Sequence, residues 1–351
     1  MSARALQPPY PPMEARLVEE LPEGPQWAYE PKWDGFRCLA FRDGRSIELQ
    51  SKSGQSLTRY FPEVAETLRS VDARRFVLDG EIVVPGNGCL SFDDLLQRIH
   101  PAASRVQKLA REHPAQLVVF DLLMDGGGRV LVELPFRERR RRLEAFAAHE
   151  LEGITGLRLS PATAEIATAR KWLGLTGGTF DGVVAKRVDR DYRSGDRTGM
   201  EKVKRRRTAD CVVGGFRYAA NAPVVGSLLL GLYDSQGLLH HVGFTSGFPA
   251  TERKRLLTQL RPLVKPPGFT GRAPGGPSRW STKRSGEWEP LDLTLVAEVR
   301  YDHFTGGRFR HGTRFLRWRP DKTPRLCTMD QVTRGQRKGS AEAEAKLARA
   351  R

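Results

Sequence analysis

Apolar and polar positions alternate from Tyr29 to Leu49, which predicts strands, and Arg42-Asp43-Gly44-Arg45 interrupts them with the residues of a tight primed hairpin turn. After the polar loop Ser51-Lys52-Ser53-Gly54 the period changes. Val64, Leu68 and Val71 follow Phe61-Pro62-Glu63 at helical spacing. Phe76-Val77-Leu78 then runs as a strand into Asp79-Gly80-Glu81 and continues through Ile82-Val83-Val84. Ser91 with Asp94 gives a helix-start signal for a short helix carrying Leu95, Leu96 and Ile99. Gln116 to Leu123 is a compact apolar strand, closed by the turn Asp125-Gly126-Gly127-Gly128. Arg137 to His149 predicts a very basic helix whose Arg139 to Arg142 run reads as a solvated face. Thr163 is placed to cap a helix running through Trp172 and ended by Gly174, and Phe180 to Lys186 is again a strand.

From about Thr208 the pattern changes to short strands separated by glycine-rich turns: Cys211 to Phe216, Ser227 to Tyr233, Leu239 to Phe244, Leu293 to Tyr301 and Phe315 to Trp318. With one intervening helix, Thr251 to Leu263, this predicts a small barrel such as an OB-fold. Lys265 to Pro277 is rich in proline and glycine and reads as a loop, while Gln331 to Arg351 has no apolar face and reads as a frayed helix or disorder. The expectation is an α+β chain with domains at 1–207 and 208–330 and a basic flexible tail at 331–351.

Composition narrows the partner. The 351 residues include 58 Lys and Arg against 41 acids, a net charge of +17, which points to a polyanion, with nucleic acid ahead of a membrane surface. A hydrophobic fraction of 39% is that of a globular protein. The four cysteines, Cys38, Cys89, Cys211 and Cys327, lie too far apart to suggest a zinc site or a disulfide framework, so they read as buried thiols in a reducing, cytoplasmic compartment. The start of the chain is proline-rich, and the longest apolar run, Val224 to Tyr233, is broken by Gly226, Ser227 and Gly231; neither a signal peptide nor a membrane span is expected.

Four strand-turn elements each deliver charged groups beside an apolar run: Lys32 with Asp34, Asp79 with Glu81, Asp181 with Lys186, and Lys202 with Lys204. Residues two apart on a strand share a face, so Asp79 and Glu81, or Lys202 and Lys204, can converge on one ligand. Carboxylates and lysines gathered together are costly unless a metal and an anion neutralise them, which is what a metal-nucleotide site requires.

In this order and spacing the motifs resemble those of the covalent nucleotidyltransferases, most closely the bacterial ATP-dependent DNA ligases of the LigC and LigD type, over about Glu14 to Leu326. The resemblance implies a nucleotidyltransferase (adenylation) domain of antiparallel sheets with helices, followed by an OB-fold β-barrel. It implies that Lys32 attacks the α-phosphate of ATP to give lysyl-AMP. Glu30 and the ring of Phe120 resemble adenine-binding positions, Arg37 and Glu81 positions near the ribose, and Lys186, Lys202 and Lys204 further nucleotide contacts, the last two at the α-phosphate. Asp79, Glu81 and Asp181 would hold Mg2+ or Mn2+. Ser51 and Lys52 lie in a loop that resembles one contacting nucleotide and DNA, with Arg205 and Arg206 as further DNA contacts. Arg319, Asp321 and Lys322 resemble the barrel motif that orients pyrophosphate. Three positions depart from the family pattern: Asp181 stands where glutamate is usual, Lys52 where arginine is common, and Met200 where an aromatic often precedes the paired lysines. The implied partner is nicked duplex DNA, with a repair polymerase or end-binding proteins in trans, and the implied form is a nucleoid-associated monomer.

Rival readings are an RNA ligase, a capping-type guanylyltransferase sharing the lysine motif, or a non-catalytic nucleic-acid end-binding protein in which Lys32 is incidental.

Overall fold

In the computed structural model the described residues are 6–86, 90–175, 180–204, 207–220, 222–275, 287–310 and 312–333. They fall into two compact units, one within Met1–Arg205 and the other within Arg206–Gln336. Cys89, Arg205, Arg206 and the tail beyond 333 lie outside the described residues.

The first unit runs through β1 (Arg16–Leu17), β2 (Trp27–Trp33), β3 (Phe36–Asp43), β4 (Ser46–Ser51), α1 (Pro62–Ser70), β5 (Arg75–Val83), α2 (Phe92–Gln97), α3 (Ala103–Glu112), β6 (Gln116–Met124), α4 (Phe136–Glu150), β7 (Leu157–Leu159), α5 (Ile166–Gly174), β8 (Phe180–Arg187) and β9 (Met200–Lys204). Two sheets result, ordered β1-β9-β8-β2 and β4-β3-β5-β6-β7. Strand alternation gives each sheet two faces with different neighbours. Ala40, Leu78, Ile82, Leu117 and Val119 pack on α1 and α4 through Val64, Leu68, Leu143 and Phe146. Leu39, Phe41, Val77 and Leu123 point the other way, against Met13, Tyr192 and Met200. On the far side of the smaller sheet, Trp27, Tyr29, Val183 and Ala185 pack on Ala169 and Trp172 of α5. The space between the sheets is where the charged residues gather.

The second unit contains β10 (Arg207–Ala219), β11 (Ala222–Tyr233), β12 (Leu239–Ser246), α6 (Ala250–Leu260), β13 (Glu289–Pro290), β14 (Val296–Tyr301), β15 (Phe304–Thr305), β16 (Arg308–Phe309) and β17 (Arg314–Trp318). Its principal sheet is ordered β12-β11-β10-β14-β17. A bridge between Thr245 and Thr313 joins the outer strands, closing the sheet into a barrel around Phe216, Leu230, Val242 and Val299. Among the described residues no helix is long and apolar enough to cross a membrane.

Several local expectations change. Helix α3 carried no recognised sequence signal. Thr163 does not cap α5; its hydroxyl accepts from the Glu165 amide, two residues too early, and Glu165 is the N-cap. The Asp43-Gly44 hairpin forms as expected, with Gly44 at φ 61°. The other Asp-Gly pairs are not left-handed turns. A Cβ at Gly35 would come within 2.2 Å of the Ile82 carbonyl oxygen, and one at Gly182 within 2.0 Å of the Val203 oxygen. These glycines let backbones approach closely around the charged cluster.

Candidate active site around Lys32

Lys32, Gly182 and Lys204 lie side by side on β2, β8 and β9. With glycine in the middle, no side chain separates the two lysines. Between β2 and β8 the register slips: Lys32 opposes Gly182 while Trp33 opposes Phe180, leaving Asp181 as the extra residue of a bulge. A bulge re-aims a side chain, and here the Asp181 carboxylate reaches the lysines of that row. The Lys32 ammonium donates to Asp181 Oδ2 at 2.7 Å, and Lys204 Nζ lies 3.1 Å from the same oxygen.

The electrostatics follow from that pairing. Burial favours a neutral Lys32 amine, but the Asp181 carboxylate, with help from Glu81 and Asp34, outweighs it, so the Lys32 pKa lies above its ordinary value. The pKa is lowered instead at Lys202, where burial leads and Lys32, Lys52 and Lys204 add repulsion. Glu81 is pushed up to about 7 by burial, against the opposing pull of Lys32 and Arg37. Its carboxyl makes no hydrogen bond among the described residues. A second hard oxygen donor interacting with Lys32 suits a divalent cation, whose charge would offset the desolvation that keeps Glu81 protonated.

Asp79 is placed differently from a metal ligand open to solvent. It is fully buried, and its oxygens accept a fork of hydrogen bonds from Arg37 Nε and Nη2, both at 2.6 Å, and one from the Tyr192 hydroxyl at 2.7 Å. Burial works against the Arg37 charge, but Asp79 outweighs it, and the Arg37 pKa stays above normal. Arg37 in turn lies over the ring of Phe120, 4.5 Å from its centroid. Lys186 approaches the same ring at 4.7 Å while donating to the Phe120 carbonyl at 3.1 Å and pairing with Glu30 at 2.7 Å. Glu30, Phe120, Lys186 and Arg37 therefore form one contiguous group, with both Glu30 and Lys186 buried.

The basic helix α4 corrects the expectation of a solvated arginine face. Arg141 and Arg142 pair with Glu138 near the surface, but Arg139 is buried and binds Asp121 through two hydrogen bonds, at 2.8 and 3.0 Å. Arg140 is buried too, reaching Glu30 Oε1 at 3.4 Å and the Ser160 carbonyl at 2.9 Å. The reason is the start of the helix, which places Phe136, Arg139 and Arg140 against the inter-sheet acids. Sequence reasoning missed Tyr192 as well, since nothing in Arg190-Asp191-Tyr192-Arg193 marks it out. Lys52 pairs with Glu14 at 2.9 Å at the surface, and the Ser51 hydroxyl contacts that of Ser53.

In the second unit, Arg319 forks onto Asp321 through Nε and Nη2, at 2.9 and 2.8 Å, and donates from Nη1 to Asp210 at 2.9 Å. Lys322 Nζ lies 3.2 Å from the other oxygen of Asp210. These residues belong to a different unit from Lys32 and form a cluster of their own.

Comparison with known proteins bears on what these clusters do. Residues 12–204 match the family described as ATP dependent DNA ligase domain, and residues 221–322 match the ATP dependent DNA ligase C terminal region. DNA ligase C1 of Mycolicibacterium smegmatis is 44% identical over 338 residues, covering 93% of this chain and 94% of that protein. DNA ligase C of Mycobacterium tuberculosis is 42% identical, covering 94% and 95%. Among solved structures, one of the Lig E DNA ligases aligns over 88% of this chain and all of that one, with 15% identity and a TM-score of 0.54, which bears on fold alone.

Proposed function

This chain belongs to the ATP-dependent DNA ligase family and is an ATP-dependent DNA ligase; from that premise we propose that Lys32 is its nucleophile and that it seals nicks in duplex DNA during repair. The observation that carries the reading is the Lys32 amine, hydrogen-bonded to a bulge aspartate that it shares with Lys204. In this reading residues 1–207 form the adenylation domain and 208–330 the OB-fold domain, and the chain works as a monomer.

The first step follows from the site. Lys32 Nζ, once it has lost its proton, forms a bond to the α-phosphorus of ATP as the bond to the pyrophosphate oxygen breaks and the electron pair leaves with it. Asp181 orients the amine and is the nearest acceptor for its proton. Lys202 and Lys204 face the α-phosphate and offset the charge that builds on it, which is where a preorganised site gains most. Glu30, Arg37, Phe120 and Lys186 hold the nucleoside, Arg37 being kept in place by Asp79 and Tyr192. Glu81 and Asp181 would hold Mg2+ or Mn2+, and that charge would weaken their hold on the Lys32 proton. In this assignment Asp79 is a positioning residue and not a metal ligand. Arg319, Asp321 and Lys322 orient the departing pyrophosphate when the two domains close. The AMP then passes to a DNA 5′-phosphate, and a 3′-hydroxyl displaces it. Lys52, Ser51, Arg205 and Arg206 contribute to DNA binding, where phosphate neutralisation dominates.

Incubation with α-labelled ATP and Mg2+ tests the assignment. Label is expected on Lys32 as an acid-labile adduct, followed by transfer to nicked DNA and sealing. Labelling of Lys32→Ala would sink it.

A further inference from the structure

One well-formed cavity bounded by the described residues lies away from Lys32. It measures about 380 Å³ and is lined by Trp27, Arg187, Arg190, Arg193, Thr198 and Glu201, among others. Strand alternation sets these residues apart from the site above. Arg187 follows Lys186 on β8, and Glu201 precedes Lys202 on β9, so both face the opposite side of the sheet from the lysines. Trp27 belongs to the cluster on α5, away from the space between the sheets. The remaining wall is the connection between β8 and β9.

The charges of this wall are mostly settled internally. Arg187 forks onto Asp189 at 2.9 and 2.8 Å, Arg193 donates to Asp191 at 3.1 Å, and Glu201 accepts from Arg16 at 2.5 Å. Arg190 is the exception. Its backbone is held by Phe136 and Arg139, but its guanidinium has no ion pair or hydrogen bond among the described residues. The cavity is therefore left with an excess positive charge on a side chain whose backbone is already fixed. Beside it the Arg187 guanidinium lies 5.7 Å from the Trp27 ring centroid, giving a flat cation-aromatic surface. A cavity in the range of small-ligand sites, a free guanidinium and a planar surface together suit a phosphate joined to a flat ring.

We propose that this cavity binds a nucleoside monophosphate unit, with the phosphate on Arg190 and the base against Arg187 and Trp27. It is a second nucleotide site, separate from Lys32 and independent of the role assigned to that lysine. The unit could be supplied as free AMP, which sealing releases, or as one nucleotide of a single-stranded DNA end; the chemistry recognised is the same. The wall has a second connection. Tyr192, two residues from Arg190, holds Asp79 in the inter-sheet site, so the loop that would contact the ligand also supports Arg37.

The test uses the full chain with its six tryptophans replaced by 5-fluorotryptophan, the Trp27 fluorine resonance being assigned by its absence from Trp27→Phe. AMP and a 5′-phosphorylated single-stranded octanucleotide are titrated separately. A saturable shift of the Trp27 resonance below ~1 mM is expected from at least one of them. A shift with AMP identifies the free nucleotide as a source, and a shift with the oligonucleotide alone identifies a strand end. Arg190→Glu should weaken the response by about tenfold or more, Arg190→Lys should restore part of it, and Lys32→Ala should leave it intact. Arg190 is exposed, so its replacement leaves the fold in place. No shift with either probe, an Arg190→Glu titration equal to that of the wild type, or loss of the shift in Lys32→Ala would each overturn the proposal.

Discussion

Two aspartates in this molecule each hold a pair of cations, and they do it with different redundancy. In the first unit Asp181 takes both Lys32 and Lys204 on one oxygen. Among the described residues, the Lys32 ammonium is hydrogen-bonded to no other side chain. In the second unit Asp210 takes Arg319 on one oxygen and Lys322 on the other, but Arg319 also forks onto Asp321 and lies 3.9 Å from Glu298. An arginine held by several acids stays oriented when one is lost, because its planar fork is already positioned. A lysine held by one acid does not. The difference suits the proposed roles, since the amine must give up its proton and move onto phosphorus, whereas the guanidinium has only to arrive in a fixed orientation.

The contrast can be broken at either end. The largest effect is expected from Lys32→Ala, which should abolish adenylate formation, a loss of ~10⁵-fold or more, with circular dichroism unchanged. Asp181→Asn comes next. It keeps the bulge but removes the charge shared by both lysines, and should slow adenylation by about 10²- to 10³-fold in single-turnover assays. If Asp181→Asn reacts at the wild-type rate, the aspartate is a bystander to Lys32. Asp210→Asn should cost only about tenfold, because Asp321 still holds Arg319. Its loss should be confined to adenylation and spare the sealing of DNA that already carries AMP. A loss as large as that of Asp181→Asn would show the second cluster to be as thinly held as the first.

Much of this was legible in the residues, and what was hidden has physical reasons. Lys202 and Lys204 of β9 stand out because charges two apart on a strand share a face, and that periodicity survives folding, whereas Glu30 was implied by the family resemblance alone. The hairpin at Gly44 was legible for the same local reason. The bulge at Asp181 was not, because it depends on how β2 registers against β8, and registers are long-range facts. Nor could composition distinguish Arg139 and Arg140, which are buried, from Arg141 and Arg142, which are not. Adjacent arginines on a helix point in different directions, and only the partners Asp121 and Glu30 decide which go inward. That Asp79 is held by Arg37 and Tyr192 was not legible either, because nothing near Tyr192 in sequence announces that its hydroxyl reaches that carboxylate.

The comparison between the units extends to acid. The second unit buries His241 beside the ring of Phe269, with Arg308, Arg217 and Arg272 facing it. Burial first, and then those three arginines, push it down to about 3 from its ordinary value near 6.5. The unfolded chain therefore binds a proton that the folded barrel refuses between those pH values, so the contribution is intact above pH 6.5 and is lost as pH falls. At pH 5 the loss is about 2 kcal/mol, at about 1.4 kcal/mol per pH unit. Glu81 in the first unit has the opposite sign. Its folded value of about 7 lies above the ordinary 4.5, so between them the folded state binds the extra proton and is favoured as pH falls. Hydrogen exchange of backbone amides, resolved by segment, separates the two. Going from pH 7.5 to pH 5, after correction for intrinsic exchange, protection in β11 and β12 should fall while that in β3 and β5 holds. In His241→Leu the barrel's pH dependence should flatten. If the barrel strands of His241→Leu lose protection just as steeply, another group in the second unit carries the acid sensitivity, and the three arginines do not isolate His241 as the structure indicates.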